Sequence, residues 1–399
     1  MEWLLKHQIS KYDYMIVGAG IIGMTIAYEL KQQNRDLKIA IIDKEEDVAK
    51  HASGRNSGVL HAGFYYTADS LKAKFTVEGN KLMKEFCKQN DITVKATQKI
   101  VVAKDETEVQ GIYELQKRAE INGVETIVID EESVAKIDSN IRTYKKALFS
   151  PTTASVDPKK ICFTLKEVLK EKGIEFFFNT TFESCKLDYK YLINSAGAYA
   201  DKIAQQFGLA QNYTLLPFKG IYLQYMTNKT DVKVNIYPVP NLKNPFLGVH
   251  YTITSNGTIK IGPTAIPAFC RENYQGLSKF NFKEIFEILY YETKLFILNS
   301  FNFRNLAIEE MKNYSSKVFI QKAKDMVKNI GDDFKPIPAG IRAQLLDTRT
   351  NELVQDFVIE HGENSTHVLN AVSPAFTCSF AFAKHVVNEI NQNNKENDK

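Results

Sequence analysis

"YDYMIVGAGIIGMTIAYELKQQNRDLKIAIIDKEE", residues 12–46, is the stretch from which the fold is read. An apolar strand from Tyr14 to Val17 runs into Gly18-Ala19-Gly20-Ile21-Ile22-Gly23, a helix-patterned segment continues to about Gln33, and a second strand, Lys38 to Ile42, ends at Asp43. The glycines have separate jobs: Gly18 permits the tight turn, Gly20 lets backbone approach a pyrophosphate, and Gly23 allows close packing of helix on strand. The helix N-terminus at Ile21 and Ile22 then offers amide donors and a positive dipole end to phosphate. Asp43, with Lys44 beside it, stands where an acidic side chain binds ribose hydroxyls. A glycine loop alone is weak. Strand, loop, helix, strand and terminal acid in order mark a dinucleotide site.

The chain of 399 residues, 44% hydrophobic and 25% charged, has the length for two domains and the core to hold them without staples. Its 51 basic and 47 acidic residues leave a net charge of +4, which gives no electrostatic case for nucleic acid as a partner. Cys87, Cys162, Cys185, Cys270 and Cys378 form no C-x-x-C pair and are odd in number, so neither a metal site nor a disulfide framework is expected, and a reducing, cytoplasmic compartment is. The N-terminus lacks a secretory pattern, and no apolar run reaches the roughly 20 residues of a membrane span. Peripheral contact with the inner face of a membrane stays open.

Nicotinamide and flavin sites share the glycine loop, and the next segment of the chain favours the flavin. "HASGRNSGVLHAGFYY", His51 to Tyr66, sets Ser53, Asn56, Ser57 and Gly58 among small residues able to wrap the rest of a long cofactor. A nicotinamide enzyme would continue with alternating strands and helices. Here a helical segment ("SLKAKFTVEGNKLMKEFCKQN") and a strand-rich block from "TQKIVVAKDE" interrupt the nucleotide fold, which resumes at a strand, Tyr191 to Ile193, ending in Asn194-Ser195-Ala196-Gly197. A second strand block carries Asn256-Gly257, a hairpin signal. The aromatic-rich helical stretch "FNFKEIFEILYYETKLF" reads as core and lid packing. Short strands at Phe357–Glu360 and His367–Leu369 precede Ser373-Pro374 and a helix to about Ile390, with a polar tail expected to fray.

In order, G-x-G-x-x-G, "SGRNSGVLHAGFYY", "VDPKK", "INSAGAYAD", "PFKGIYL", "FLGVHYT", "GPTA", "AGIRAQ" and "NAVSPAFTCS" resemble the D-amino-acid oxidase superfamily of FAD-dependent oxidoreductases, and within it the L-2-hydroxyglutarate dehydrogenases and oxidases. Two departures are a shorter stretch between Glu183 and Tyr191, and Val372-Ser373-Pro374-Ala375 where proline-serine-proline-alanine is usual. The resemblance implies an α/β protein: a discontinuous Rossmann-like FAD-binding domain (1–85, 150–215 and 335–395) and a substrate domain on a mixed or antiparallel sheet (86–149 and 216–334). It adds Gly340, Ser373, Pro374 and Ala375 to the FAD site, the last three opening a helix aimed at the flavin's pyrimidine end.

The implied reaction oxidises L-2-hydroxyglutarate to 2-oxoglutarate by hydride transfer to flavin N5 while a base takes the hydroxyl proton. A neutral imidazole suits that task. His61, on the segment the resemblance sets against the flavin, is one candidate; His250 in "GVHYT" is the other. Arg342 matches the arginine that holds a substrate carboxylate, with Lys219, Arg271, Tyr65 and Tyr66 as candidates for the distal one. The implied electron acceptor is oxygen or a quinone, and His51 is a candidate for a covalent flavin bond. The alternatives are a same-fold enzyme acting on a small amino acid or on glycerol 3-phosphate, whose dehydrogenases share "LHAG", and a non-catalytic flavin-binding protein.

Overall fold

Residues 11–227, 232–240, 248–275, 279 and 281–397 are described by the structure, a computed structural model. The N-terminal segment read for a secretory signal, and Phe246 and Leu247 of "FLGVHYT", lie outside them.

The opening stretch folds as its pattern predicts. Tyr12–Val17 and Ile39–Ile42 are parallel strands joined through the helix Ile21–Gln33. Both strands are near-continuous apolar runs, as a parallel sheet covered on both faces requires. They lie in a six-stranded sheet whose order is Val358–Gly362, Ser365–Asn370, Tyr189–Asn194, Tyr12–Val17, Ile39–Ile42, Glu175–Phe177. Only Val358–Gly362 runs antiparallel to its neighbour. Strands are added on both sides of Tyr12–Val17, so a crevice opens beyond its carboxyl end, where the glycine loop begins. One face is packed by Met24, Ile26 and Leu30 with Ile161 and Leu165 of the helix Pro158–Glu171 and Phe382, Val386 and Ile390 of the helix Ala375–Asn397. That last helix continues past Ile390 through the polar residues expected to fray.

A ten-stranded mixed sheet forms the second layer, in the order Glu352–Leu353, Phe334–Asp347, Tyr213–Tyr225, Ile259–Gly262, His250–Ile253, Asn235–Pro238, Lys99–Val102, Lys146–Ser150, Ile127–Asp130, with Ile266–Pro267 paired to Tyr213–Tyr225. The Asn256-Gly257 signal closes a hairpin between His250–Ile253 and Ile259–Gly262: Thr254 donates to the Thr258 carbonyl and its own carbonyl accepts from Gly257, both at 2.9 Å. Alternation sorts the faces. Ile100, Val102, Ile236, Tyr251 and Ile253 share one apolar cluster, whereas Val101, Ala103 and Tyr237 pack with Ala62, Phe64 and Tyr65. The second face therefore looks toward the "LHAGFYY" segment.

Strand pairing differs from the expected segment boundaries in one respect that matters for the site. Phe334–Asp347 hydrogen-bonds along Tyr213–Tyr225, so Gly340 and Arg342 project from the larger sheet and not from the sheet that carries the glycine loop. No strand lies between Phe178 and Asp188, in keeping with the shortened stretch in the sequence. The aromatic-rich segment forms the helices Phe282–Leu298, Phe303–Lys312 and Ser316–Lys324. Ile288, Leu295, Phe303 and Phe319 are buried as core, but Phe282, Phe286, Tyr290 and Ile297 are 61–72% exposed, so core packing accounts for only one side. Among the described residues no helix is long and apolar enough to cross a membrane.

Candidate active site

The glycines divide into packed and open positions. A Cβ on Gly23 would lie 2.2 Å from the Gly18 carbonyl oxygen, and one on Gly18, already at φ +102°, would lie 2.5 Å from that of Ser195. A Cβ on Gly20 would meet only Ser53 Oγ, at 3.3 Å. Gly20 thus faces the open side of the loop, at the N-terminus of Ile21–Gln33, where a pyrophosphate fits. Ser53 Oγ accepts from the Ile21 amide at 2.9 Å, and Asp43 accepts from the Ala19 amide at 2.8 Å, so both hold the loop. Burial raises the Asp43 carboxyl despite that bond and the one from the Glu45 amide.

The segment from His51 packs against this loop through Ser53. Asn56 donates to the Ala52 and Ser53 carbonyls and accepts from the Gly58 amide, fixing the turn. Ser57 lies beside Tyr222 and accepts from the Val59 amide. Gly58 (φ +76°) presses against Val156 O, and Gly340 against Arg55 O, where a Cβ would stand at 2.3 and 2.6 Å respectively. Ala196 and Gly197 open the turn after Tyr189–Asn194, with nothing within 4 Å of a Cβ on Gly197. Open space at Gly197 and the single side-chain contact at Gly20, between two strand ends and a helix N-terminus, fit a long dinucleotide.

His61 sits where these parts meet the larger sheet. Its amide donates to Thr377 Oγ1 at 3.2 Å, in the first turn of the helix Ala375–Asn397, and its carbonyl accepts from Asn80 at 2.9 Å. The residue is 8% exposed and its Nδ1 has no hydrogen-bond partner. Burial, then the charges of Lys99, His250 and Arg342, hold this imidazole well below the usual histidine range. His250 stacks on Tyr237 with ring centroids 3.8 Å apart, and its Nδ1 lies 2.9 Å from the Gly248 carbonyl, which assigns the proton to Nδ1 and the free lone pair to Nε2. Burial, first among its causes, depresses it to about 3. Arg342 feels Tyr222 and Tyr66, and Tyr65 is buried with its hydroxyl unpartnered. His61, His250, Arg342, Tyr65 and Tyr66 are therefore brought together.

Other candidates lie elsewhere. Arg271 is buried in a bidentate pair with Asp201, at 2.5 and 2.8 Å, and also donates to the Ala198 carbonyl. Its charge is spent inside the fold. Lys219 and Phe218 pair with Ile341 and Arg342, so alternation turns Lys219 away from the face that carries Arg342; it donates to Asn273 Oδ1 at 3.0 Å. Lys44 pairs with Glu272 and lies 4.1 Å over the Tyr199 ring. His51 bonds Tyr274, Glu45 and Glu272, so both its ring nitrogens are engaged. Glu45, His51 and Glu272 could converge on a cation, but Lys44 and Lys279 already share their oxygens. Sequence reading missed Lys99 and Tyr237. Lys99 is completely buried, with Nζ 4.0 Å from the Tyr237 ring centroid.

Fold and site together define an FAD-dependent oxidoreductase. The chain belongs to that family: the family model described as "FAD dependent oxidoreductase" matches residues 13–389. The relatives it resembles are narrower in kind. It is 36% identical to a Caenorhabditis elegans protein named "L-2-hydroxyglutarate dehydrogenase, mitochondrial", over 96% of this chain and 93% of that one. It is 32% identical to the "L-2-hydroxyglutarate dehydrogenase" of Escherichia coli (strain K12), over 95% and 93%. In fold it is similar to the FAD-bound L-alpha-glycerophosphate oxidase of Mycoplasma pneumoniae, with a TM-score of 0.75 at 21% identity, covering 95% of this chain and 94% of that one.

Proposed function

We propose that this chain oxidises L-2-hydroxyglutarate to 2-oxoglutarate with FAD. The observation that carries the reading is the convergence of two neutral histidines and Arg342 beside the cofactor cradle, in a chain whose full-length relatives bear that activity in their names. FAD, when bound, supplies the hydride acceptor. His61 is unprotonated at working pH because burial penalises its cation, and it takes the proton from the C2 hydroxyl. His250 serves as a positioning acceptor through Nε2. Arg342 grips the carboxylate next to the reacting carbon with its planar fork. Tyr65 and Tyr66 complete the wall. The six-stranded sheet forms the cofactor domain and the ten-stranded sheet the substrate domain. Product analysis with L-2-hydroxyglutarate, glycerol 3-phosphate and glycine in parallel tests the reading: 2-oxoglutarate from the first, with no turnover of the others, is expected.

Electrons pass on to oxygen or a quinone, and we place the protein in the cytoplasm with peripheral contact to the inner face of a membrane. The exposed stripe Phe282, Phe286, Tyr290 and Ile297 supports that contact, being apolar on the outer side of its helix. Lys283 and Arg304 are exposed nearby, while Glu284 and Glu287 turn inward to Tyr199 and Lys202, which suits anionic lipid. Co-sedimentation with anionic but not zwitterionic vesicles, lost on replacing Phe286 and Tyr290 by Ser, is the expected result; equal recovery of wild type and variant refutes it.

A further inference from the structure

A five-carbon diacid needs a second fixed cation, and the residues nominated for it from sequence are spent or turned away. Arg271 is consumed by Asp201, and Lys219 lies on the opposite side of its strand from Arg342. Lys99 is different. It lies on the strand Lys99–Val102, in phase with Val101, so it shares the sheet face of Tyr237, which stacks on His250. It is 0% exposed, and its Nζ has no hydrogen-bond partner. The rings of Tyr237, Tyr65 and Phe64 stand 4.0, 5.1 and 5.6 Å from it, all side chains of the site wall.

Burying an amine without a partner is costly, and ring faces return only part of that cost. Such a group is an arranged receptor for an anion that arrives from outside the fold. Both histidines feel the charge of Lys99 and of Arg342, so both basic side chains lie close to the imidazoles. We propose that Lys99 binds the distal carboxylate of the substrate and so determines specificity for a dicarboxylic 2-hydroxy acid. The inference rests on the functional reading above and names the residue that distinguishes a diacid from shorter or uncharged 2-hydroxy acids. The rings of Tyr65 and Tyr237 exclude water from the pair, which strengthens it.

The test compares Lys99→Met and Lys99→Gln with the wild-type holoenzyme. With L-2-hydroxyglutarate, kcat/KM is expected to fall about 10²-fold, the scale for removing one partner of a buried charge pair. With L-2-hydroxybutyrate, which lacks the distal carboxylate, it is expected to change by less than about threefold, since no interaction of that substrate is removed. Binding of the unreactive glutarate and butyrate, monitored by perturbation of the flavin spectrum, provides a readout without turnover: wild type prefers glutarate, and the variants lose the preference. Both variants should retain flavin and melt no lower than wild type, because an unpartnered buried amine is removed. Equal losses on both substrates, or an intact glutarate preference, overturn the proposal. If wild type fails to oxidise L-2-hydroxyglutarate but its glutarate preference still depends on Lys99, the functional reading fails and the role of Lys99 stands.

Discussion

Gly20→Val separates the cofactor cradle from the packing that supports it. Gly20 has φ −74° and ψ 173°, a backbone that any residue adopts, and a Cβ there meets only Ser53 Oγ at 3.3 Å. The apoprotein should therefore keep its stability to within about 1 kcal/mol, the unfolded-state gain from a stiffer residue offsetting minor crowding. The valine methyls, however, would fill the space through which a pyrophosphate is proposed to reach the amides of Ile21–Gln33. Losing two charge-assisted hydrogen bonds at about 1.5–3 kcal/mol each amounts to ~3–6 kcal/mol. That is roughly 10²–10⁴-fold in Kd. Gly23→Ala is the contrast: its Cβ would be 2.2 Å from the Gly18 carbonyl oxygen, an overlap that costs about 1–3 kcal/mol or more in the fold itself. Thermal melts of the two apoproteins, with FAD titrations by quenching of flavin fluorescence, read both quantities. Wild-type FAD affinity in Gly20→Val, or a loss of apoprotein stability matching that of Gly23→Ala, would refute the reasoning.

His61→Ala should slow anaerobic flavin reduction by roughly 10²–10⁴-fold with little change in FAD content; normal reduction in this variant, with slow reduction in His250→Ala, transfers the base to His250. Arg271→Met strands Asp201 in the interior and should cost roughly 3–5 kcal/mol, read as a lower Tm, with KM unchanged. A raised KM at unchanged Tm would return Arg271 to the substrate site. Burial lowers Lys99 to about 7 from 10.5, so the folded state resists its protonation, and the destabilisation is full below pH 7 and fades toward pH 10.5. Lys99→Met should accordingly raise Tm most at pH 6 and least near pH 10, and a pH-independent difference contradicts that. Acting on Lys99 from the surrounding elements are His61, His250, Tyr65 and Tyr237.

Local patterns made the cofactor half of the molecule legible. The glycine loop, both strands and Asp43 lie within one βαβ unit, and Asn256-Gly257 closes a hairpin of neighbouring strands, so each can be read without knowing where the rest of the chain goes. Charge partnerships were not legible. Arg271 and Asp201 are 70 residues apart, and nothing near Arg271 announces that its charge is already matched. Lys219 was within reach of sequence reasoning only through strand phase, which depends on its pairing with Ile341. Nothing local in the sequence marks Lys99 as buried. Its burial results from parallel pairing with Asn235 and from the rings of Tyr65 and Tyr237, which come from distant segments. The helical segment from Phe282 was legible on its buried side alone, since apolar periodicity does not say whether anything in the same chain covers the outer face.

Oxidation of a 2-hydroxy diacid by FAD, with His61, His250 and Arg342 in the proposed roles, can be checked in one experiment. Purified holoenzyme is mixed anaerobically with L-2-hydroxyglutarate while flavin absorbance is followed and product is quantified. Complete bleaching of the flavin, with one 2-oxoglutarate formed for each flavin reduced, is the expected outcome. An unbleached flavin, or bleaching by glycerol 3-phosphate or glycine in place of the diacid, would contradict this assignment.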